Sequence, residues 1–351
     1  MTIPLLVKEK IALEVIKVLV TRFDNFPEDA TNNRNAPFHE AFISAFSDKI
    51  EERVNDIPFF ISLSSWMHGL NTTLGQTFFE KVAHHLSNGE KREYTSKKLG
   101  NLPITKTQRE NISQIVADLS TSAQRPNLLR ENGLLFSDFT TEIIDANDFS
   151  ADVFIKDRNS ITAIELKSVK PNSGEMKGEK QKILEGKAAL YREFPGKEIK
   201  FFMGFPFDST VDSENDPVTS YDKTRFLSQI INMNKYFDPT ETLIASELWD
   251  FLSGQTNTME EILGIINVIS TTEFLKKFRE ITNPVNRSDE GYLSILNNWF
   301  LFSEKEIVEN DALIQERIRD DRSMTRIYSK CPFDSKGNYC FDRYTELKRI
   351  L

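Results

Sequence analysis

The stretch "ADVFIKDRNSITAIELKSVKP", residues 151–171, restricts the fold more than any other part of the chain. Two short apolar runs flank the polar tetrapeptide "DRNS" at 157–160, the pattern of two antiparallel strands joined by a turn. If the turn is symmetric, paired residue numbers sum to 317. Asp152 then faces Glu165, Val153 faces Ile164, and Ala151 faces Leu166. Alternation along the strands puts Asp152, Phe154, Ile161, Ala163, Glu165 and Lys167 on one face. The other face carries Ala151, Val153, Ile155, Thr162, Ile164 and Leu166. Both faces are apolar, so the hairpin belongs in a sheet covered on both sides. The exception is one end of one face, where Asp152, Glu165 and Lys167 collect. A longer symmetric loop keeps this pairing, and an odd bulge destroys it.

The surroundings read as helical. Residues 1 to about 135 are mostly helix by pattern. Near the N-terminus Ile11, Val15, Val18 and Leu19 fall at helical spacing, which predicts an amphipathic helix and no signal peptide. "NTTLGQTFFEKVAHHLSNG" predicts a helix with a Thr73–Gln76 capping box and an Asn88-Gly89 stop. "TKTQRENISQIVADLSTS" predicts another, with Ile112, Ile115, Val116 and Leu119 on one side. "AQRPNLLRENG" reads as a connecting loop. After the hairpin come a helix, "GEKQKILEGKAALYREF", and a strand, "IKFFMGFPF". The loop "DSTVDSENDPVTSYD" follows, with five acids and no base. "SELWDFLSG" and "MEEILGIINVIS" are again helical. A β-β-α-β pattern inside a helical surround predicts an α/β (α+β) fold. Its central mixed β-sheet is flanked by helices, with further N- and C-terminal helical regions. The expected divisions are 1–70 for the N-terminal helices, 71–210 for the core and 211–351 for the C-terminal helices.

Composition narrows the function classes. No apolar run approaches the ~18 residues of a membrane span. Cys331 and Cys340 form neither a disulfide framework nor a zinc site, which fits a reducing cytosol. A net charge of −9 argues against a protein coated in nucleic acid. The segment from Lys156 to Lys200 opposes that balance, with eleven Lys or Arg and seven Asp or Glu.

Opposed side chains on a sheet have Cβ atoms ~4.5–5.5 Å apart. Two carboxylates that close repel unless a proton or a cation lies between them. Oxygen ligands completed by water suit Mg²⁺, and Lys167 is placed to contact a phosphate or a water. A surface hairpin with a local salt bridge would carry the same three residues. On a helical wheel, Met176, Ile183, Leu184, Leu190, Tyr191 and Phe194 form a stripe that includes Lys180 and Lys187, with Gln181 on its flank. Those lysines either snorkel at the edge or face a wet, negatively charged cleft, where they would suit a phosphodiester backbone. Basic residues between Lys91 and Arg130, and the group Arg317, Arg319, Arg322 and Arg326, are solvated faces or base readers.

Asp152, a hairpin, then Glu165-Leu166-Lys167 resembles the PD-(D/E)XK nuclease core, with Ala151 where that pattern has a variable proline. The wider stretch "FSADVFIKDRNSITAIELKSVKPNSGEMKGEKQKILEGKAAL" resembles in particular the TdeIII-like type II restriction endonucleases, as do "FFMGFPFD" and "NAPFHEAF". The resemblance implies Mg²⁺ held by Asp152 and Glu165, helped by the carbonyl of Leu166. It implies that Lys167 orients or activates the attacking water and stabilises the developing phosphorane charge. A glutamate from an N-terminal core helix often joins such a site; Glu80 is the candidate and Glu142 the alternative. Lys170, Lys177, Lys180, Gln181 and Lys187 are the candidate DNA contacts. His84 and His85 read as structural or exposed. The implied substrate is double-stranded DNA, cut by a homodimer at a palindrome such as GGNCC. The implied setting is a prokaryotic cytoplasm, with a cognate DNA methyltransferase encoded nearby. Two rivals stay open: a repair, mobile-element or junction-cutting nuclease with the same core, and a non-catalytic DNA-binding protein whose hairpin charges are surface decoration.

Overall fold

The computed structural model describes residues 2–27, 57–167, 175–212 and 214–351. The motif "NAPFHEAF" and Lys170 lie outside the described residues. The chain divides into two compact units. One is Phe79–Glu261 with the first three residues, and the other is Pro4–Phe78 with Ile262–Leu351.

The first unit is built on a mixed sheet. In chain order its strands are β1 (Glu90–Tyr94), β2 (Pro103–Thr105), β3 (Ile143–Asp145), β4 (Phe149–Lys156), β5 (Ser160–Leu166), β6 (Glu198–Phe205) and β7 (Thr242–Ile244). The five-stranded sheet has the order β1-β4-β5-β6-β7, while β2 and β3 form a separate pair. Strand β4 is antiparallel to both of its neighbours, β1 and β5, and β5, β6 and β7 are parallel. The helices that matter for the site are α1 (Phe79–Ser87), α2 (Lys106–Thr121), α3 (Leu128–Leu135), α4 (Glu175–Glu193) and α5 (Ser246–Ser253). Helix α4 is the crossover between parallel β5 and β6, as such a connection requires. It lies close to the sheet at Gly186, where a Cβ would come within 2.6 Å of Phe201 and 3.0 Å of Phe149. Both faces of β5 are covered: Ile161 and Ala163 are buried, and so are Thr162 and Ile164.

Several local expectations hold. Helix α2 begins with a reciprocal Thr105–Gln108 capping box and buries Ile112, Ile115, Val116 and Leu119. Helix α1 ends at Ser87, and Asn88 takes a left-handed φ of 53°, which Asn tolerates better than most residues. The Thr73–Gln76 capping box does not form. The apolar run before it starts a helix at Ile57, so Thr73 closes the helix Ile57–Thr73. Its hydroxyl donates back to the Gly69 carbonyl at 2.9 Å and accepts from Arg22 at 2.8 Å. Part of the expected loop "AQRPNLLRENG" is α3, started by the Asn127 side chain accepting from the Arg130 N–H.

The expected divisions at 70 and 210 also shift. The N- and C-terminal helical regions fold with each other in the second unit. The Glu9 carboxylate accepts from the Ser303 N–H at 2.7 Å and its hydroxyl at 2.8 Å, and Phe23 stacks on Phe274 with centroids 5.6 Å apart. The core runs on to Glu261 because β7 adds a fifth strand and α5 packs beside it. Trp249 of α5 donates to the Pro206 carbonyl at 2.8 Å and meets the Phe79 ring. No helix among the described residues is long and apolar enough to cross a membrane.

Candidate active site

Strands β4 and β5 pair in the expected register: Val153 with Ile164, Phe154 with Ala163, Ile155 with Thr162, and Lys156 with Ile161. The ladder stops one pair short of Asp152 and Glu165. There the Asp152 carboxylate turns to the backbone, and its Oδ2 accepts the Leu166 N–H at 2.9 Å. On the opposite edge of β4 the pairing slips. Glu90 pairs with Phe154 and Arg92 with Ala151, so Asp152 and Val153 together oppose Lys91. This bulge interrupts the alternation expected through the strand, and the rings of Phe149 and Phe154 both meet Tyr94. Bulges re-aim side chains, and this one falls at Asp152.

Two lysines tie the carboxylates of the site together. The Lys91 ammonium lies 2.7 Å from Glu80 Oε2 and 3.1 Å from Asp152 Oδ1. Partial burial opposes its charge, but the bonds to Glu80 and Asp152 outweigh that and raise its pKa. Glu80 sits in the first turn of α1, and one turn later His84 places Nε2 2.6 Å from the Asp152 carbonyl oxygen. Side chains four apart on a helix share a face, so one face of α1 addresses Asp152 twice. Glu142 is exposed, and its carbonyl accepts the Lys106 N–H at 2.9 Å. Of the two candidate glutamates, Glu80 is the one joined to Asp152.

The second lysine is Lys167. Its backbone N–H donates to the Gly204 carbonyl at 2.8 Å. Its ammonium lies 3.3 Å from Glu165, 3.2 Å from Glu179 and 3.6 Å from Glu175. Burial would lower its pKa, but the charges of Glu165 and Glu179 prevail and raise it. Burial, reinforced by the charge of Asp152, pushes the Glu165 carboxyl up to about 7.

The lysines expected along a DNA backbone separate. Lys180 and Lys187 are wholly buried, which corrects that expectation for both. Lys180 pairs with Glu131 at 2.5 Å and Glu241 at 2.7 Å, and Lys187 pairs with Glu241 at 2.7 Å. The two lysines lie in the helical stripe, but they face acids inside the fold and not a wet cleft. Lys177 is exposed and Gln181 half-buried on the same helix. Lys91, His84 and Glu179 are the site residues that sequence reasoning missed. The i, i+4 spacing of Glu80 and His84 was the available signal for the histidine. No local signal marked Lys91 or Glu179.

The elevated Glu165 carboxyl has a consequence for stability. A carboxyl that ionises near 7 in the fold and near 4.5 when unfolded binds more protons folded than unfolded between those values. Metal-free protein therefore loses stability as pH rises from about 4.5 to about 7. Thermal melts in EDTA across this range test it. Glu165→Gln should flatten the slope, and an unchanged slope would refute the assignment.

The donors here are hard oxygens: the carboxylates of Asp152 and Glu165, and Glu80 joined to Asp152 through Lys91. They suit a hard divalent cation, and the Glu165 carboxyl is raised first by burial and then by the charge of Asp152, which Lys167 does not fully offset. Among the described residues no three acidic, histidine or cysteine side chains form a complete metal cluster. The remaining ligands would be main-chain, water or substrate oxygens, as is usual for Mg²⁺.

A family model described as "Type II restriction endonuclease, HinfI" matches residues 5–270, a span containing all of these site residues. The type II restriction enzyme MjaII of Methanocaldococcus jannaschii is 42% identical over 364 residues, covering 97% of this chain and 96% of that protein. A mixed sheet flanked by helices, with acids and lysines gathered at the end of its central hairpin, is consistent with that match. The chain belongs to the HinfI family of type II restriction endonucleases, site-specific deoxyribonucleases that act on double-stranded DNA.

Proposed function

We propose that this endonuclease hydrolyses DNA in a Mg²⁺-dependent reaction at the end of the β4–β5 hairpin. The observation that carries the reading is the convergence there of Asp152, Glu165 and Lys167, with Glu165 held near 7 by burial and by Asp152. Asp152 and Glu165 would hold the ion, with the Leu166 carbonyl and Glu80 as further oxygen donors. When bound, Mg²⁺ would lower the pKa of a water and screen the scissile phosphate.

The chain's own residues supply the rest. Lys167 is kept protonated by Glu165 and Glu179, so it acts as a fixed positive charge. It orients the attacking water by hydrogen bonding and meets the negative charge that grows on the phosphate oxygens. His84 and the Leu166 N–H hold Asp152 by its carbonyl and its carboxylate. Lys177 and Gln181 are the described candidates for backbone contacts, together with Lys170.

A palindromic target would call for a two-fold dimer, each subunit cutting one strand. The TdeIII-like resemblance over 149–208 suggests an interrupted GC-rich target such as GGNCC. A cognate methyltransferase would protect the host, and the enzyme would work in the cytoplasm. Digestion of a long phage DNA tests the reading. Discrete bands with Mg²⁺ and none with EDTA are expected, and sequencing the ends gives the site. A smear would favour a repair or junction-cutting role, and no cutting with any divalent ion would refute the mechanism.

A further inference from the structure

We propose that Lys91 is a resident cation that competes with the divalent ion for Asp152 and Glu80. This rests on the proposed metal site and adds to it a residue that sets when the ion can enter. The ammonium bridges both carboxylates at 2.7 and 3.1 Å. The register of Tyr94–Phe149, Glu93–Ser150 and Arg92–Ala151, carried one pair further, sets Lys91 beside Asp152. Lys91 stands opposite the Asp152–Val153 bulge, within cross-strand reach of the aspartate.

The charges of the site make the consequence specific. Asp152 gives one carboxylate oxygen to the Leu166 N–H and the other to Lys91. An ion that takes the outer oxygen meets a like charge 3.1 Å from it, and that repulsion drives the ammonium away. Glu80 has its Oε2 on the same ammonium, so one displacement frees donors on two elements. Lys167 is not placed to do this, because its partners are Glu165, Glu175 and Glu179. The two lysines therefore divide the work. Lys167 stays beside the reacting phosphate, and Lys91 holds the acids apart from an ion until one displaces it. Lys91 is about 40% exposed at its side chain, so its route out to solvent is open.

Calcium binding in the absence of DNA tests this without any readout of cleavage. Ca²⁺ uses the same hard oxygen donors as Mg²⁺. Isothermal titration is run on the full chain as wild type, Lys91→Met, Lys91→Arg and Asp152→Asn. Lys91→Met should bind Ca²⁺ about fivefold more tightly, the scale of a partly exposed ion pair. Lys91→Arg keeps the charge and should bind nearly as the wild type does. A far-UV spectrum and a melt confirm that each variant is folded. Equal or weaker Ca²⁺ binding by folded Lys91→Met would overturn the proposal. If Asp152→Asn alone lost the binding, the metal site itself would still stand. Undiminished binding by Asp152→Asn would overturn the metal site and this inference together.

Discussion

Asp152→Asn is expected to lower the rate of DNA cleavage by about a thousandfold or more, comparable to removing a principal electrostatic contributor to a transition state. The amide keeps an oxygen that can accept the Leu166 N–H, now made by Asp152 at 2.9 Å, so the local backbone should hold. What is lost is the charge. Lys167→Ala should cost a similar factor for a different reason: it removes the ammonium that lies 3.3 Å from Glu165 and 3.2 Å from Glu179. Single-turnover cleavage of a plasmid carrying one target site separates these losses from binding, which a gel-shift assay in Ca²⁺ measures in parallel. The two variants should bind DNA within about tenfold of the wild type, since each changes the charge of the site by one. Cleavage by either variant within about tenfold of the wild type would place the chemistry elsewhere.

The second large effect concerns stability. Glu241 accepts from both Lys180 and Lys187 at 2.7 Å, and all three groups are buried. Burial works against the Glu241 carboxylate, but the two ammoniums prevail and bring its pKa down to about 2. Burial lowers that of Lys187. Glu241→Gln leaves Lys187 as an uncompensated internal charge, while Glu131 still holds Lys180. The expected loss is about 3–5 kcal/mol, which in a domain of this size lowers the melting temperature by about 10 °C. Adding Lys187→Met to Glu241→Gln removes the stranded charge and should recover part of the loss, which a double-mutant cycle reads directly. The carboxylate should matter least in acid. Its folded pKa lies below the unfolded value of 4.5, so its stabilisation is present above that value and fades as pH falls toward 2. A Glu241→Gln penalty under about 1 kcal/mol at neutral pH would show that the cluster contributes nothing net.

The two lysines of α4 also show where sequence reasoning stops. Helical periodicity placed Lys180 and Lys187 in the same stripe as Met176, Ile183 and Leu190, and all five are buried. Periodicity reports which residues share a face. It does not report what that face meets. The partner Glu241 lies 61 and 54 positions further along the chain, and Glu131 comes from a segment read as loop. Glu80 was easier, because its place on α1 followed from the spacing of nearby apolar residues. That Lys91 would carry the link to Asp152 did not follow, since it depends on which strand lies beside β4 and in what register.

By itself the sequence determined the hairpin and its register, the helices around it, and the gathering of Asp152, Glu165 and Lys167 at one end. These follow from period-two alternation, helical spacing and a polar turn, all of which act between near neighbours. Only the tertiary structure decided which cation sits between Asp152 and Glu80, which lysines lie inside, and that the two ends of the chain fold together. Those outcomes depend on packing and charge pairing between residues distant in sequence, where each partner is chosen by the shape and electrostatics of the whole fold.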